Sequence, residues 1–294
     1  MQLKGWIIYN GNLYTQKFSE QVEWLLRTAS QFDIELEAVA NHELLVTIDG
    51  GNAKLQPDRP GPAPDFVFFW DKDLFLARQL EQQGIRLFNS ARAIEICDDK
   101  ALTHQQLANQ GIPMPKTIIA PKIYRSVQDD RHLTQVIETL GFPLIMKESF
   151  GSFGEQVYYI QNERTLRQKV HELGNTPYIF QQYVQSSYGK DVRLHVVGDR
   201  VVAAMLRKAE GDFRANVTAG GKMFPYQPTE AEKALAVRCS QLVGADFTGV
   251  DLLFGANQEP ILCEINSNAH FKNIYDCTGI DLTKAMLGYI KEQL

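Results

Sequence analysis

Apolar and polar positions along the first third of the chain follow two periods, and each period predicts one type of element. Short apolar runs predict strands at 6–9, 34–40, 44–48, 66–70 and 86–88. Apolar residues recur at helical spacing over 17–32 and again over 74–83, where Gly84 ends the second helix. Because strands that alternate with helices favour a mostly parallel sheet, we predict an α/β domain over residues 1–97.

The same patterns divide the rest of the chain into two parts. Residues 98–185 are predicted to form an α+β segment, with helices at 101–110, near 126–140 and at 163–173 and strands at 117–120, 142–147, 156–160 and 178–182. Asp98 and Asp99 are suited to cap the first of these helices. Residues 186–294 are predicted to hold hairpins at 192–206 and 249–266 and helices at 229–243 and 281–291. The fold class is therefore α/β, with α+β segments.

The hairpin at 249–266 carries a cluster of oxygen ligands. Side chains alternate along a strand, so Glu264 and Asn266 share one face of their strand. Pairing with the neighbouring strand brings Asp251 within reach of the same point. Two carboxylates and an amide oxygen suit Mg²⁺, which takes one or two carboxylates together with phosphate oxygens and water. The alternative is a half-exposed hairpin whose acids face water.

Basic residues stand at positions where an anion could be bound. Lys147 ends an apolar strand and precedes the glycine-bearing loop 148–155, whose backbone N–H groups can bind phosphate oxygens. The loop matches neither the Walker pattern nor the dinucleotide fingerprint, and an ordinary loop beside a surface lysine is the alternative. Arg193, Arg207 and Arg214 surround a glycine-rich segment, either as an anion clamp or as a solvated basic rim.

A third candidate is the strand end at 180–184 and the acid that follows it. The strand end can offer backbone groups to a purine, and Asp191 can bind ribose hydroxyls. A plain connector between two parts of the chain explains the same residues.

Composition and charge narrow the class of protein. The chain has 294 residues, a net charge of −5 and a pI of about 5.7, which argue against a general nucleic-acid binder. It shows neither an apolar run of transmembrane length nor a signal peptide, so no membrane partner is expected. The cysteines are scattered without metal-ligand spacing, which predicts free thiols in a cytoplasmic protein; they are Cys97, Cys239, Cys263 and Cys277.

Taken together, these motifs resemble the ATP-grasp superfamily and, within it, the RimK-like amino-acid (alpha-L-glutamate) ligases, from about residue 85 onward. The segments that carry the resemblance are Asp99-Lys100, Gly111 to Pro115, Val196 to Met205, Gly211 to Val217 with Gly220-Gly221, Gly249-Val250-Asp251 and Glu264 to Ser267. The resemblance implies an ATP-grasp fold of three subdomains (1–97, 98–185 and 186–294), with ATP bound between the central and C-terminal ones.

The resemblance also implies roles for individual residues. ATP is expected to contact the phosphate lysines Lys100 and Lys147, the closing loop with Ser152, Phe153 and Gly154, the adenine edge Gln181, Gln182, Tyr183 and Val184, and the ribose ligand Asp191. Mg²⁺, with Mn²⁺ as an alternative, is expected at Asp251, Glu264 and Asn266. Arg207 and Asn216 are expected to act with Lys147 at the γ-phosphate. Substrate is expected to contact Arg193, Arg214, Lys272 and Asn273.

Two segments depart from the RimK-like pattern where the family lines its substrate cleft. Trp70-Asp71-Lys72-Asp73 stands where Pro-Arg is usual, and Thr218-Ala219 stands where many members have His-Arg. Phe271-Lys272-Asn273 is similar to the lysine-biosynthesis branch, whose ligases act on the C-terminus of a carrier protein. The resemblance thus leaves the substrate open between glutamate and a similar amino acid.

The predicted activity is ATP- and Mg²⁺-dependent formation of an amide bond through an acyl phosphate. The acceptor is a small molecule, a peptide or a protein tail, and the resemblance implies a homodimer or a homotetramer. The alternatives are a regulatory ATP-binding protein of the synapsin-like kind and a D-alanine–D-alanine-type ligase.

Overall fold

The computed structural model describes residues 2–13, 15–57, 61–151, 154–216 and 220–294, with the backbone alone for Lys17. The N-terminal elements are β1 (Leu3–Tyr9), α1 (Gln16–Ala29), β2 (Ile34–Ala40), β3 (Leu45–Asp49), β4 (Asn52–Gln56), β5 (Phe66–Trp70), α2 (Leu74–Gln82), β6 (Arg86–Phe88) and α3 (Ala91–Asp98). Four of these strands form a sheet in the order β2-β1-β5-β6 with every pairing parallel. The predicted parallel sheet is thereby confirmed.

Strand β5 shows why an unbroken apolar run forms the centre of this sheet. All of its residues are buried, and alternate side chains enter different cores. Phe66, Phe68 and Trp70 pack with helix α1, whereas Val67 and Phe69 pack with helix α2. A parallel strand covered on both faces needs apolar residues at successive positions. Strand β5 ends at Trp70, so Asp71 lies at the C-terminal edge of the sheet.

The central elements are α4 (Lys100–Leu107), β7 (Thr117–Ile119), α5 (His132–Leu140), β8 (Leu144–Glu148), β9 (Val157–Ile160), α6 (Glu163–Leu173) and β10 (Tyr178–Gln182). The strands form an antiparallel sheet in the order β7-β10-β8-β9. Asp99 caps α4, since its Oδ1 accepts the backbone N–H groups of Ala101 and Leu102. Helix α5 begins later than predicted, because Asp129 accepts the backbone N–H of Arg131 and forms a turn there.

The C-terminal elements are β11 (Lys190–Val197), β12 (Arg200–Lys208), β13 (Lys222–Pro225), α7 (Glu230–Leu242), β14 (Phe247–Phe254), β15 (Pro260–Asn266), α8 (Lys272–Thr278) and α9 (Leu282–Gln293). The strands form an antiparallel sheet in the order β13-β12-β11-β14-β15, which confirms both predicted hairpins. Helix α8 starts at Lys272, in a segment for which no helix was predicted. Among the described helices, none has the length and apolarity needed to span a bilayer.

The hydrophobic cores show how the three sheets are joined. One core unites α1 and the parallel sheet with α8 and α9, so the two ends of the chain pack together. A second joins Leu107 of α4 to the C-terminal sheet, although α4 was predicted within the central segment. The central sheet packs α5 and α6 in a core of its own. The boundaries at 97 and 185 fall between sheets and remain predictions.

Candidate functional site

A bulge in the β14–β15 hairpin brings the predicted metal ligands together. Leu252 pairs with Leu262, but the next residue, Asp251, pairs with Glu264, so Cys263 is the extra residue of a β-bulge. Asn266 donates its Nδ2 to Glu264 Oε1 over 3.2 Å. The structure therefore places Glu264 opposite Asp251, with Asn266 bound to Glu264, whereas an unbroken register would have placed Glu264 opposite Val250.

Two arginines neutralise the buried carboxylate of Asp251. Arg193 donates Nε and Nη2 to its two oxygens over 2.6 Å each, and Arg207 Nη2 lies 2.8 Å from Oδ2. Asp251 is only 2% exposed. Burial alone would raise the pKa of Asp251, but the two guanidinium groups outweigh it and hold that pKa below its usual range. Asp251 is therefore ionised at neutral pH.

Arg207 joins Asp251 to a second acid, Asp191. Arg207 donates Nε and Nη2 to the Asp191 carboxylate over 2.6 and 2.9 Å, and both side chains are buried. Asp191, predicted as a ribose ligand, thus lies beside the first cavity described below with its carboxylate bound by an arginine. With Glu264, this network contains three carboxylates and two guanidinium groups, so one negative charge remains for an incoming cation.

Two lysines face these acids from the opposite side. Lys147 is 6% exposed, which excludes a surface lysine, and its Nζ donates to Cys263 Sγ over 3.6 Å. Burial raises the pKa of Cys263 to about 11, so the partner of Lys147 is a neutral thiol. Lys100 Nζ donates to the carbonyl of Gly151 over 3.2 Å. Burial lowers the pKa of Lys100, and an anion placed here would raise it again.

These side chains line a first cavity of about 850 Å³ between the central and C-terminal sheets. Its apolar lining residues are Ile145, Val157, Tyr183, Val184, Leu253 and Phe213. The other predicted residues on its wall are Lys100, Lys147, Gly154, Gln181, Gln182, Asp191, Arg207, Arg214, Asn216, Asp251 and Glu264. Ser152, Phe153 and the Thr218-Ala219 pair lie outside the described residues. The lining combines apolar side chains with charged ones, as a nucleotide requires.

Gly154 of the glycine loop is held by the segment between β12 and β13. Arg214 donates Nη1 to the carbonyl of Gly154 over 2.9 Å and pairs with Asp212 over 2.8 Å. A Cβ added to Gly154 would lie 2.7 Å from Asn216 Oδ1, and the φ of Gly154 is +77°. Both facts favour glycine at this contact. Arg214, predicted to bind substrate, fastens the loop in this structure.

His104 binds Gln181 at the edge of the first cavity, and no motif in the sequence pointed to this histidine. Its Nδ1 lies 2.8 Å from the carbonyl of Lys100, so Nδ1 carries the proton and Nε2 accepts from Gln181 Nε2 over 2.9 Å. Gln181 also donates to Thr117 Oγ1 over 3.0 Å. Burial lowers the pKa of His104 to about 4. This neutral histidine ties the predicted adenine edge to the helix that carries Lys100.

A second cavity of about 1580 Å³ lies beside the first, towards the N-terminal sheet. Arg207, Asn216 and Glu264 line both cavities and form the wall between them. Among the predicted substrate residues, Arg193 and Asn273 also line the second cavity. Lys272 is absent from the described lining and pairs with Asp276 over 3.2 Å on its own helix. The substrate roles of these residues remain predictions.

The donor set fits Mg²⁺ that takes its remaining ligands from phosphate and water. No group of three or more His, Cys, Asp or Glu side chains in the described ranges is placed to hold a metal ion. Asp251, Glu264 and Asn266 supply two carboxylates and one amide, and Asn266 directs its Nδ2 to Glu264 and the Gly249 carbonyl. Mg²⁺ usually keeps several waters and is bound by one or two carboxylates together with substrate phosphates.

Comparisons with known proteins agree with this geometry. Residues 97–290 match the sequence profile of the RimK-like ATP-grasp domain. The chain is 32% identical over 277 residues to N-acetylaspartylglutamate synthase A of Homo sapiens, covering 90% of this chain and 70% of that protein. It is 30% identical over 288 residues to beta-citrylglutamate synthase B of Mus musculus, covering 94% and 73%. The VanG D-Ala:D-Ser ligase of Enterococcus faecalis superposes with a TM-score of 0.75 at 17% identity, covering 99% and 98%, and shows the fold alone.

Proposed function

The chain belongs to the RimK-like ATP-grasp ligases, and from this premise we propose that it joins an amino acid to a carboxylate substrate through an amide bond, with ATP as the phosphoryl donor. The observation that carries the proposal is the wall of Arg207, Asn216 and Glu264 shared by the two cavities. ATP in the first cavity would present its γ-phosphate at this wall, and a carboxylate in the second cavity would reach it from the other side.

The reaction has two steps that the wall residues assist. The substrate carboxylate attacks the γ-phosphate, which gives an acyl phosphate and ADP. The amine then attacks the acyl carbon and expels inorganic phosphate. Phosphoryl transfer requires mainly alignment and charge neutralisation. Lys100 and Lys147 supply positive charge, Arg207 lines the same wall while paired with Asp191 and Asp251, and Asn216 offers a neutral hydrogen-bonding group there.

The metal would be held by Asp251, Glu264 and Asn266. When bound, Mg²⁺, or Mn²⁺ in its place, supplies charge neutralisation at the phosphates. The bulge at Cys263 sets the relative position of the two carboxylates. Asp251 is kept ionised by its arginines, so it is ready to act as a ligand without loss of a proton.

Exclusion of water follows from the glycine loop. An acyl phosphate is hydrolysed readily, so the reaction needs a closed cavity. Arg214 holds the Gly154 carbonyl and thereby keeps Gly154 at the wall of the first cavity. The hydrogen bond between Arg214 and Gly154 forms within the chain, so it does not depend on a bound substrate.

The substrates are proposed from the relatives and from the second cavity. We take the amino acid to be glutamate or a similar one, because two relatives are named for products that contain glutamate. The carboxylate partner is a small molecule, a peptide or a protein tail, since the second cavity is larger than the first. The free thiols support a cytoplasmic location for the reaction, which we propose together with a homodimer or homotetramer.

ADP release tests the proposal. The purified chain is given ATP, Mg²⁺, a set of carboxylates and the L-amino acids, with D-alanine included for the D-alanine–D-alanine type of reaction. ADP release that requires both an acid and an amine supports the ligase. ATP binding without ADP release under every combination would contradict it and favour a regulatory nucleotide-binding protein.

A further inference from the structure

A buried carboxylate faces the second cavity without a cationic partner among the described residues. Asp71 follows the end of β5, lines this cavity and is 8% exposed. Its oxygens accept the backbone N–H of Lys72 over 2.7 Å and the Asn10 amide over 3.3 Å. The Lys72 ammonium is directed away to Asp98. In the part of the chain that the structure describes, Asp71 forms no ion pair.

The other charged side chains of this cavity lie near side chains of opposite charge. Arg193 and Arg207 pair with Asp251, Lys72 pairs with Asp98, and Glu264 lies 3.7 Å from Arg193. Burial of a carboxylate without a counter-charge is costly. Here burial raises the pKa of Asp71. A cationic group in the cavity would remove this cost, so the site is complementary to a cation.

Two further polar atoms beside Asp71 are buried without a partner among the described residues. The first is Trp70 Nε1, a donor, and the second is Asn268 Oδ1, an acceptor. Both residues line the second cavity. Asn268 donates Nδ2 to the carbonyl of Asp71 over 2.9 Å, which fixes its amide orientation. Trp70 is held by Phe68 and Phe271, with ring centroids 5.7 and 5.5 Å away. Buried polar atoms without a partner call for an explanation, and a ligand is one.

We propose that these residues form the subsite for the amine substrate, an amino acid bound through its ammonium and carboxylate groups. The ammonium is held by the Asp71 carboxylate and Asn268 Oδ1, and the carboxylate accepts the indole N–H of Trp70. This assignment rests on the proposed ligase function, and it makes Asp71 a specificity-determining residue. An acid at this position selects a cationic group, whereas a basic residue would select an anionic one.

Calorimetry tests the subsite without turnover. The protein is loaded with Mg²⁺ and the non-hydrolysable analogue AMPPNP, and the L-amino acids are titrated at up to millimolar concentration. The tightest binder is then compared with its N-acetyl derivative, which lacks the ammonium. Wild type should favour the amino acid over the derivative by about tenfold or more, the size of a charge-assisted hydrogen bond.

Two variants make the comparison specific. Asp71→Asn keeps the shape and the Asn10 and Lys72 contacts, and it should weaken the amino acid about tenfold while leaving the N-acetyl derivative unchanged. Asp73→Asn removes an equal charge nearby and keeps the helix cap that Asp73 gives to Leu76, so binding should stay as in wild type. Trp70→Phe should weaken the amino acid but not the corresponding amino alcohol, which lacks the carboxylate.

The outcomes separate the subsite from the reaction. Equal affinity of wild type and Asp71→Asn for the amino acid, an equal loss in Asp73→Asn, or no amino-acid binding at millimolar concentration would each overturn the subsite. Loss of the predicted amino-acid affinity in Asp71→Asn, together with no ADP release by wild type, would keep the subsite and reject the proposed reaction.

Discussion

Asp251→Asn should stop turnover and also destabilise the protein. The substitution removes one negative charge from the predicted metal site, so Mg²⁺ and the phosphates lose their alignment. It also removes the shared partner of two buried guanidinium groups, because Arg193 and Arg207 both pair with this carboxylate. The second effect distinguishes Asp251 from an ordinary metal ligand on a half-exposed strand.

The magnitude follows from the burial of the network. Breaking a buried ion pair by removing one partner costs about 3–5 kcal/mol. Asparagine keeps one acceptor oxygen for the arginines, so the lower end, about 3 kcal/mol, applies here. Since 1 kcal/mol shifts the melting temperature of a large domain by about 2–4 °C, the expected decrease is about 6–12 °C. Total stability is about 5–15 kcal/mol, so the variant should still fold at 25 °C.

Glu264→Gln is the matched control. It removes the same charge from the same predicted metal site. The Glu264 side chain is 29% exposed, and its Oε1 lies 3.7 Å from Arg193 Nη2. A pair of this kind contributes about 0–1 kcal/mol, so the melting temperature should change by less than about 4 °C. Both variants should lose ADP release, and only Asp251→Asn should lose stability.

Thermal unfolding by circular dichroism and ADP release at limiting Mg²⁺ provide the two measurements. An equal melting temperature for Asp251→Asn and wild type would show that the arginine network does not contribute to stability in solution. Normal ADP release in both variants would refute the metal assignment whatever the stability.

Three other predictions concern the first cavity and its surroundings. Lys147→Ala should raise the KM for ATP more than that for the carboxylate, because its neutral partner Cys263 leaves the charge of Lys147 to a phosphate; unchanged nucleotide affinity in calorimetry would contradict this. The pKa of His104 is about 4 in the folded protein, below the ordinary 6.5, so the unfolded chain binds a proton at a higher pH than the folded protein does. The free energy of unfolding should therefore fall as the pH drops from 6.5 towards 4. Melting curves across this range should be less pH-dependent in His104→Asn. Arg214→Ala frees the loop at Gly154 and should raise the ADP released per amide formed; an unchanged ratio would count against the loop contact.

The sequence predicted the elements whose apolar pattern is strong and failed where the pattern is weak. Strand β5 and the hairpin β14–β15 are apolar over most positions, so periodicity identified them. Strand β13 (Lys222–Pro225) is largely exposed at the edge of its sheet and has no such pattern. Helix α8 begins at Lys272 without a side-chain cap from Phe271, which left no start signal in the sequence.

The sequence identified the residues of the site more completely than the ion pairs that they form. Asp191 pairs with Arg207 because a register shift between His195 and Val196 intervenes; a regular hairpin would have placed Asp191 opposite Leu206. Such shifts depend on packing between strands and leave no local sequence signal. The acid Asp71 was visible as a departure from the family pattern, but its burial and lack of an ion pair required the structure.

The bulge at Cys263 determines where the β14–β15 hairpin can accept inserted or deleted residues. The turn after Phe254 lies on the far side of the bulge from Asp251 and Glu264. Residues inserted into or deleted from that exposed turn can be absorbed locally, as is usual for hairpin loops. A change of one residue between Leu262 and Glu264 cannot be absorbed in this way, because it alters which side chains reach the cavity. Searches for distant relatives should therefore let the length of the turn vary while holding the spacing from Leu262 to Asn266 fixed.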